Sequence, residues 1–351
     1  MWKAAIIGCG RMAGTIDDEV RDYPGMLFPY GHAGAYLALP DMELAAAADP
    51  DAARLRAFCD RFGIPERFAD HRDMLVTVRP DIVSVATPAA ARAEVIVAAV
   101  RQGVRAIYAE KALCCSLEET RVITEACQGA GVALNIGTSR RYHPAYRAAR
   151  SLAEAGGLGP RQLAVAYASG PLLHTHSHTV DTLLFLLGDP EVLEVSASLT
   201  LPPDRVQDGR FPEDPGVRWA LLTCAGGLRA ALFSVPGRYE FELICSRGAI
   251  QAYNNGYSET WRLRRPGRER QGGMAVWESL PFPRHEPGPS PTLCALGELV
   301  AAMEKGTPTS GGIHIARRQM EVSLAMASSH LRGGAPVTLP LPEAGLYIPS
   351  H

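Results

Sequence analysis

Ala4-Ala5-Ile6-Ile7-Gly8-Cys9-Gly10-Arg11-Met12-Ala13 is the stretch that decides the fold. Four apolar residues running into a glycine read as a short strand buried on both faces. The pattern Gly8-x-Gly10-x-x-Ala13 then reads as a dinucleotide-binding turn. Gly8 permits the tight turn, Gly10 lets the backbone approach a pyrophosphate, and the small Ala13 lets helix and strand pack closely. Arg11 and Met12 open a helix whose unpaired N–H groups face the phosphates.

A glycine-rich turn alone is a weak signal, so its context matters. Leu44–Ala48, Ile82–Ala86, Val104–Tyr108 and Val132–Ile136 are further short apolar runs. Between them lie helix-like segments: one with Leu55, Phe58, Cys59 and Phe62 at helical spacing and Gly63 as its stop, one over Ala93–Gln102, and one opened by the capping box Ser116-Leu117-Glu118-Glu119. This alternation predicts a Rossmann-type, doubly wound parallel sheet. The second half changes character. Arg161–Ser169, Val192–Leu201, Arg218–Thr223, Leu228–Val235 and Tyr239–Ser246 read as strands, with a helix over Thr179–Leu187. They predict an α+β region with a mostly antiparallel sheet covered on one face. The Arg-, Gly- and Pro-rich stretch Arg262–Ser290 reads as a long loop, and Pro291–Lys305 and Ile315–Arg332 as closing helices. The expected division is a dinucleotide-binding domain over 1–137 and a substrate domain over 138–351.

Composition bounds the function. The 351 residues suit two domains, and 47% hydrophobic with 21% charged residues is ordinary for a globular protein. A formal net charge of −2 gives no basic footprint for nucleic acid. No apolar run approaches the ~20 residues of a membrane span. The eight cysteines include no CxxC pair, and Met1-Trp2-Lys3 leads straight into a strand. A cytoplasmic protein with reduced cysteines is the expectation.

The acidic residue that holds the cofactor ribose usually lies ~20 residues past the turn. Here the candidate, Asp49, lies much farther on. The extra chain falls between Thr15 and Gly31 and reads either as a flap near the cofactor or as a surface loop. Asp49 favours NAD, since a carboxylate repels a 2′-phosphate; nearby Arg54 and Arg56 leave NADP open. Asp49 also suits a helix cap.

A second constellation follows the strand Val104–Tyr108. Glu110-Lys111 stands at a strand's carboxyl end, where open α/β sheets place ligands. Later come Arg140-Arg141-Tyr142-His143-Pro144 and His174-Thr175-His176-Ser177-His178-Thr179-Val180-Asp181.

With these pieces the chain resembles the Gfo/Idh/MocA oxidoreductases over nearly its whole length. The glycine turn, His32-Ala33-Gly34-Ala35-Tyr36, Thr87-Pro88, Ala109-Glu110-Lys111-Ala112, Arg140–Pro144, His178-Thr179-Val180-Asp181 and Leu186-Leu187-Gly188-Asp189 match family segments in order. The resemblance implies a Rossmann domain joined to an α/β domain whose large open sheet carries substrate and often mediates oligomers, here a homodimer or homotetramer. It implies hydride transfer between NAD or NADP and a secondary alcohol or ketone of a sugar, sugar derivative or cyclitol. Thr87, Pro88, Glu110 and Lys111 are then cofactor neighbours. Lys111 and His178 are the implied catalytic pair, with His174 beside them. Lys111, Arg141, Tyr142, His143, His174, His176 and His178 are the candidate substrate contacts, and His32 is a further pocket residue.

The residue types suit that chemistry. Moving a hydride from an alcohol carbon also removes the hydroxyl proton, which an imidazole accepts and returns near neutral pH. An ammonium stabilises the developing alkoxide. There are departures: His174 stands where the family often has Asp, Ala112 where it has proline, and Ala89 and Arg92 where Asn and His are common. Three competing readings remain. His174, His176 and His178 would share one face of an extended segment and hold a metal, although no metal is the expectation. An NAD-dependent glycosidase would oxidise its substrate transiently. A cofactor-binding subunit would have lost its chemistry.

Overall fold

A computed structural model describes residues 1–256, 261–282, 288–342 and 345–350. The chain forms two compact units: residues 1–142, 289–320 and 347–351, and residues 143–288 with 321–346.

The first unit is built on six parallel strands: β1 (Trp2–Ile7), β2 (Met42–Ala48), β3 (Glu66–Phe68), β4 (Ile82–Val85), β5 (Ala106–Ala109) and β6 (Ala133–Ile136). Their order, β3-β2-β1-β4-β5-β6, is the doubly wound one, reversing direction between β1 and β4. Ligands of such sheets bind beyond the carboxyl ends at that reversal. Burial explains why alanine, a poor strand former, fills β2: Ala45–Ala48 are buried, and no larger side chain is needed where helices close on both faces.

The helices here are α1 (Ile16–Glu19), α2 (His32–Leu37), α3 (Ala52–Phe62), α4 (His71–Val78), α5 (Ala89–Arg101) and α6 (Leu117–Ala130). A π-helical turn, Arg11–Thr15, precedes α1. As expected, the Ser116 hydroxyl caps α6 by accepting from Glu119 N, and Glu119 answers by accepting from Cys115 N.

The insertion is a tethered loop. Asp17 accepts from the N–H groups of Tyr30 and Gly31 at 2.9 and 2.7 Å. Arg61 grips Asp18, and Thr292 donates to the Tyr30 carbonyl at 2.6 Å.

In the second unit, α7 (Pro144–Glu154) is followed by β7 (Arg161–Ala168), α8 (His176–Leu187), β8 (Val192–Leu199), β9 (Val217–Cys224), β10 (Arg229–Phe233), β11 (Tyr239–Cys245), β12 (Gly248–Ala252), β13 (Trp261–Gln271) and β14 (Met274–Pro281). Helices α9 (Pro291–Lys305) and α10 (Ile313–Leu331) and the short β15 (Val337–Thr338) complete the chain. Among the described residues nine strands form one sheet, β14-β13-β12-β11-β7-β10-β9-β8-β15, antiparallel except where β10 meets β7. Ala164, Ala166 and Ala168 of β7 are fully buried, on the face that packs α8. On the opposite face Leu221 and Phe233 are 47% and 42% exposed, and Tyr167 stacks on Phe233 at 6.5 Å between centroids. One face is covered and one is open.

The structure corrects the reading of Arg262–Ser290 as a loop. Most of it is the β13–β14 hairpin, while 283–287 lie outside the described residues. Because β14 is almost wholly exposed, no buried alternation marks it in the sequence. Cross-strand pairing and Arg264 packed over Trp277 hold it instead.

Candidate active site

The first cluster is the carboxyl edge of the parallel sheet. Gly8 has φ +92°, and a Cβ there would lie 2.8 Å from the Ala86 carbonyl carbon and 2.9 Å from Thr87 N. Only glycine fits, because the turn after β1 is pressed against the loop after β4. At Gly10 a Cβ would meet nothing within 4 Å. The space over Gly10 is thus open for a ligand's approach. Ala13 is fully buried, as helix–strand contact requires. Arg11 is exposed and paired with Glu19, and Met12 is half-buried.

The same contrast yields a prediction. Gly10→Val should keep the thermal midpoint of the wild type while weakening NADH binding by about tenfold or more, about 1.4 kcal/mol, by filling the approach to the turn. Gly8→Ala should instead lose about 1–3 kcal/mol of stability from left-handed strain and contact. Paired thermal melts and NADH fluorescence titrations check both. Equal loss of stability in the two variants contradicts the assignment.

Asp49, 3% exposed, braces this turn. Its Oδ2 accepts from Cys9 N at 2.8 Å and its Oδ1 from Asp51 N at 2.9 Å. Arg54 Nη1 stands 3.4 Å from Oδ2. The reading of Asp49 as a helix cap does not hold: the cap of α3 is Asp51, which accepts from Ala53 N and Arg54 N. Burial, then the Asp49 carboxylate, push the Cys9 thiol far up, so Cys9 is no nucleophile.

Thr87 and Pro88 follow β4, and Pro88 stands just before α5. The Thr87 hydroxyl is buried and finds no hydrogen-bond partner among the described residues. An open cradle at Gly10, together with an orphaned hydroxyl on the loop against which Gly8 is pressed, fits the residues around a dinucleotide.

Beyond β5 lies Glu110, 4% exposed. His32, fully buried at the start of α2, approaches it with Nε2 3.1 Å from Oε1. Lys111 N donates to Oε2 at 3.3 Å. A Cβ on Gly137 would lie 3.0 Å from Oε1, so β6 closes the other side. Burial presses the Glu110 pKa upward, but the His32 hydrogen bond and the charges of His32, Lys111 and Arg92 outweigh it. Its net direction is down, and it stays ionised beneath Lys111. The Lys111–Ala112 peptide is cis. Arg92, 4% exposed, donates from Nη1 to the Ala112 carbonyl. Burial pulls its pKa down to about 10, against the opposing pull of Glu110.

Arg141 and Tyr142 are spent inside the first unit. Arg141 is 1% exposed, with Nη1 3.3 Å from the Ser310 carbonyl. The Tyr142 hydroxyl donates to Ile136 O at 3.0 Å, in a niche that a Cβ on Gly311 would fill.

The second cluster lies in the other unit, around the start of α8. Asp214 accepts from Leu173 N at 2.9 Å and from His174 N at 2.8 Å, fixing the turn whose exposed residue is His174. His176 opens α8 and is fully buried, its Nδ1 3.2 Å from Thr179 Oγ1, which in turn meets Tyr239 OH at 3.2 Å. Burial lowers the His176 pKa to about 4, leaving a neutral ring near pH 7. His178, within the first turn, is half-buried, and its carbonyl accepts from Thr182 Oγ1 at 2.7 Å. His143 caps α7 through Ala145 N.

The three histidines therefore do not share a face. His176 and His178 sit on a helix, two residues apart, and point in different directions. Among the described residues no group of three His, Cys, Asp or Glu side chains stands ready for a metal ion. Asp214 and Arg92 were missed as supporting groups. Asp214 is forty positions from His174, and no local pattern joins them.

Residues 2–138 match the model of an oxidoreductase family with an NAD-binding Rossmann fold, Gfo/Idh/MocA. Among curated relatives, D-apiose dehydrogenase of Paraburkholderia graminis is 28% identical over 248 residues, 66% of this chain and 60% of the relative. The scyllo-inositol 2-dehydrogenase (NAD+) of Bacillus subtilis is 26% identical over 271 residues, 71% of this chain and 72% of the relative. The chain thus spans less than two thirds of the first of these. A solved levoglucosan dehydrogenase in complex with NADH and levoglucosan superposes with a TM-score of 0.75 at 18% identity, covering 97% of this chain and 99% of that one. At that identity the likeness speaks for the fold. What the family model matches is residues 2–138, so the likeness to the NAD-binding Gfo/Idh/MocA oxidoreductases is a likeness of that segment.

Proposed function

We propose that the chain is an NAD(P)-dependent dehydrogenase or reductase acting on a secondary alcohol or ketone of a sugar, sugar derivative or cyclitol. The observation that carries this reading is the cluster after β1, β4 and β5: an open cradle at Gly10, the orphaned Thr87 hydroxyl, and Lys111 beside a buried, ionised Glu110. The named relatives act on apiose and inositol, which favours a polyol substrate.

A bound nicotinamide supplies the hydride acceptor or donor. The chain supplies the rest. Gly8 and Gly10 shape the turn under the phosphates, Asp49 braces it, and the ammonium of Lys111 stabilises negative charge on the substrate oxygen. His178 takes up and returns the hydroxyl proton. His174 contributes to substrate recognition. His143 and His176, which cap α7 and anchor α8, act by holding those helices in place.

Asp49 favours NAD, while Arg54 beside it offers a 2′-phosphate partner and keeps NADP open. The eight free cysteines suit a reducing, cytoplasmic setting. Among the described residues no helix is long and apolar enough to cross a membrane. A panel of sugars, cyclitols and glycosides with NAD and NADP, following reduced cofactor and product release together, tests the function. Absence of cofactor turnover with every polyol and keto-sugar sinks it.

We further propose that the open face of the nine-stranded sheet joins copies of the chain into a homodimer or homotetramer. Its exposed Leu221 and Phe233 favour this. Leu221→Glu should shift sedimentation toward monomer; a wild type that already sediments as monomer rules the proposal out.

A further inference from the structure

We propose that Arg92 is a positioning residue for Lys111, its buried guanidinium clasping the backbone at Ala112 in the place where the Glu-Lys-Pro signature has a proline ring. This inference rests on the reading of Lys111 as catalytic.

Burying a guanidinium is costly, and proteins usually offset the cost with a carboxylate in direct contact. Arg92 lacks such a contact among the described residues. Its hydrogen bond goes to the Ala112 carbonyl, and among the described residues its buried Nε has no partner. The side chain reaches across twenty positions, from the first turn of α5 to the residue after Lys111. An alanine at 112 leaves φ free where proline would fix it. A charged donor on the carbonyl supplies a constraint from outside the chain. Ala112 is 2% exposed and Glu110 4%, so the turn is buried on both sides of Lys111. A guanidinium held there orients the peptide from which the Lys111 side chain departs. The uncommon residues at 92 and 112 thus form one device.

The test is a double-mutant cycle on the full chain with the polyol substrate found by the screen. Arg92→Ala should lower kcat about 10- to 100-fold, the scale of a small misplacement of a catalytic group. NADH affinity, read by fluorescence titration, should change less than about twofold, since the glycine turn is untouched. Adding Ala112→Pro to Arg92→Ala should recover about tenfold in kcat by restoring the backbone constraint. If Arg92→Ala does not fold, Arg92→Gln with and without Ala112→Pro carries the same comparison. Wild-type kcat in the Arg92 variants overturns the proposal. So does a loss that proline does not relieve, which would assign Arg92 to charge balance at Glu110. Lys111→Ala run alongside keeps the two readings apart: an active Lys111→Ala enzyme refutes the role of Lys111, whereas an inactive one with normal Arg92 variants refutes only the inference.

Discussion

Lys111→Ala should lower kcat by about 10³-fold, the scale for losing one preorganised group that stabilises an oxyanion. The protein should still fold. Glu110 keeps His32 at 3.1 Å and the field of Arg92, so removing the ammonium does not strand a lone buried charge. Binding of NADH should stay within about twofold, because Gly8, Gly10 and Asp49 owe nothing to the lysine side chain. The loss should therefore appear in kcat and not in the cofactor's Kd. Steady-state kinetics with a fluorescence titration separate the two. Lys111→Ala with wild-type kcat removes the lysine from the chemistry. Comparable losses in kcat and NADH affinity would make it a binding group.

The second large effect is expected at His178. His178→Asn keeps a side chain of similar reach but no group that titrates near neutrality, and should cost about 10²- to 10⁴-fold in kcat. It should also flatten the dependence of kcat on pH in that range. The contact to Thr182 uses the His178 carbonyl, so the helix start survives the substitution. A His178→Asn enzyme with an unchanged pH profile would move the proton-transfer role elsewhere. His176 serves as the comparison: it is already neutral, buried and engaged with Thr179, so its replacement should act through stability.

The parallel sheet was legible because strands buried on both faces must be apolar from end to end. Ala4–Ile7 carries that signature unbroken, and Ile82–Val85 carries it but for Ser84, whose hydroxyl donates to Tyr36 OH at 3.1 Å. The glycine turn was legible for a related reason, since the demand at Gly8 is local and steric. The hairpin β13–β14 was illegible because exposed, arginine-rich strands have no hydrophobic period to read. The site followed the same divide. Asp49, Glu110 and Lys111 stand at strand ends that a one-dimensional pattern can mark. That Asp49 braces Cys9, or that Arg92 reaches Ala112, depends on folding distant segments together. Tyr142 shows the other side of this: its motif suggests a substrate contact, and only the fold reveals that it is buried with its hydroxyl donating to Ile136 O.

The cofactor-binding unit is not finished when its sixth strand has been made. Ala295, Leu296 and Leu299 of α9 belong to the same core as Ala4, Ile6 and Tyr108. Asn135 of β6 donates to the Ala295 carbonyl at 2.8 Å. Ile348 N donates to Cys115 O at 3.0 Å, and Tyr347 bridges Ser116. During synthesis, then, the sheet leaves the ribosome with one apolar flank bare while about 160 further residues, and then about 50 more, are translated. The nascent chain must wait, or be sheltered by a chaperone, until residues near 299 and 348 arrive to close it.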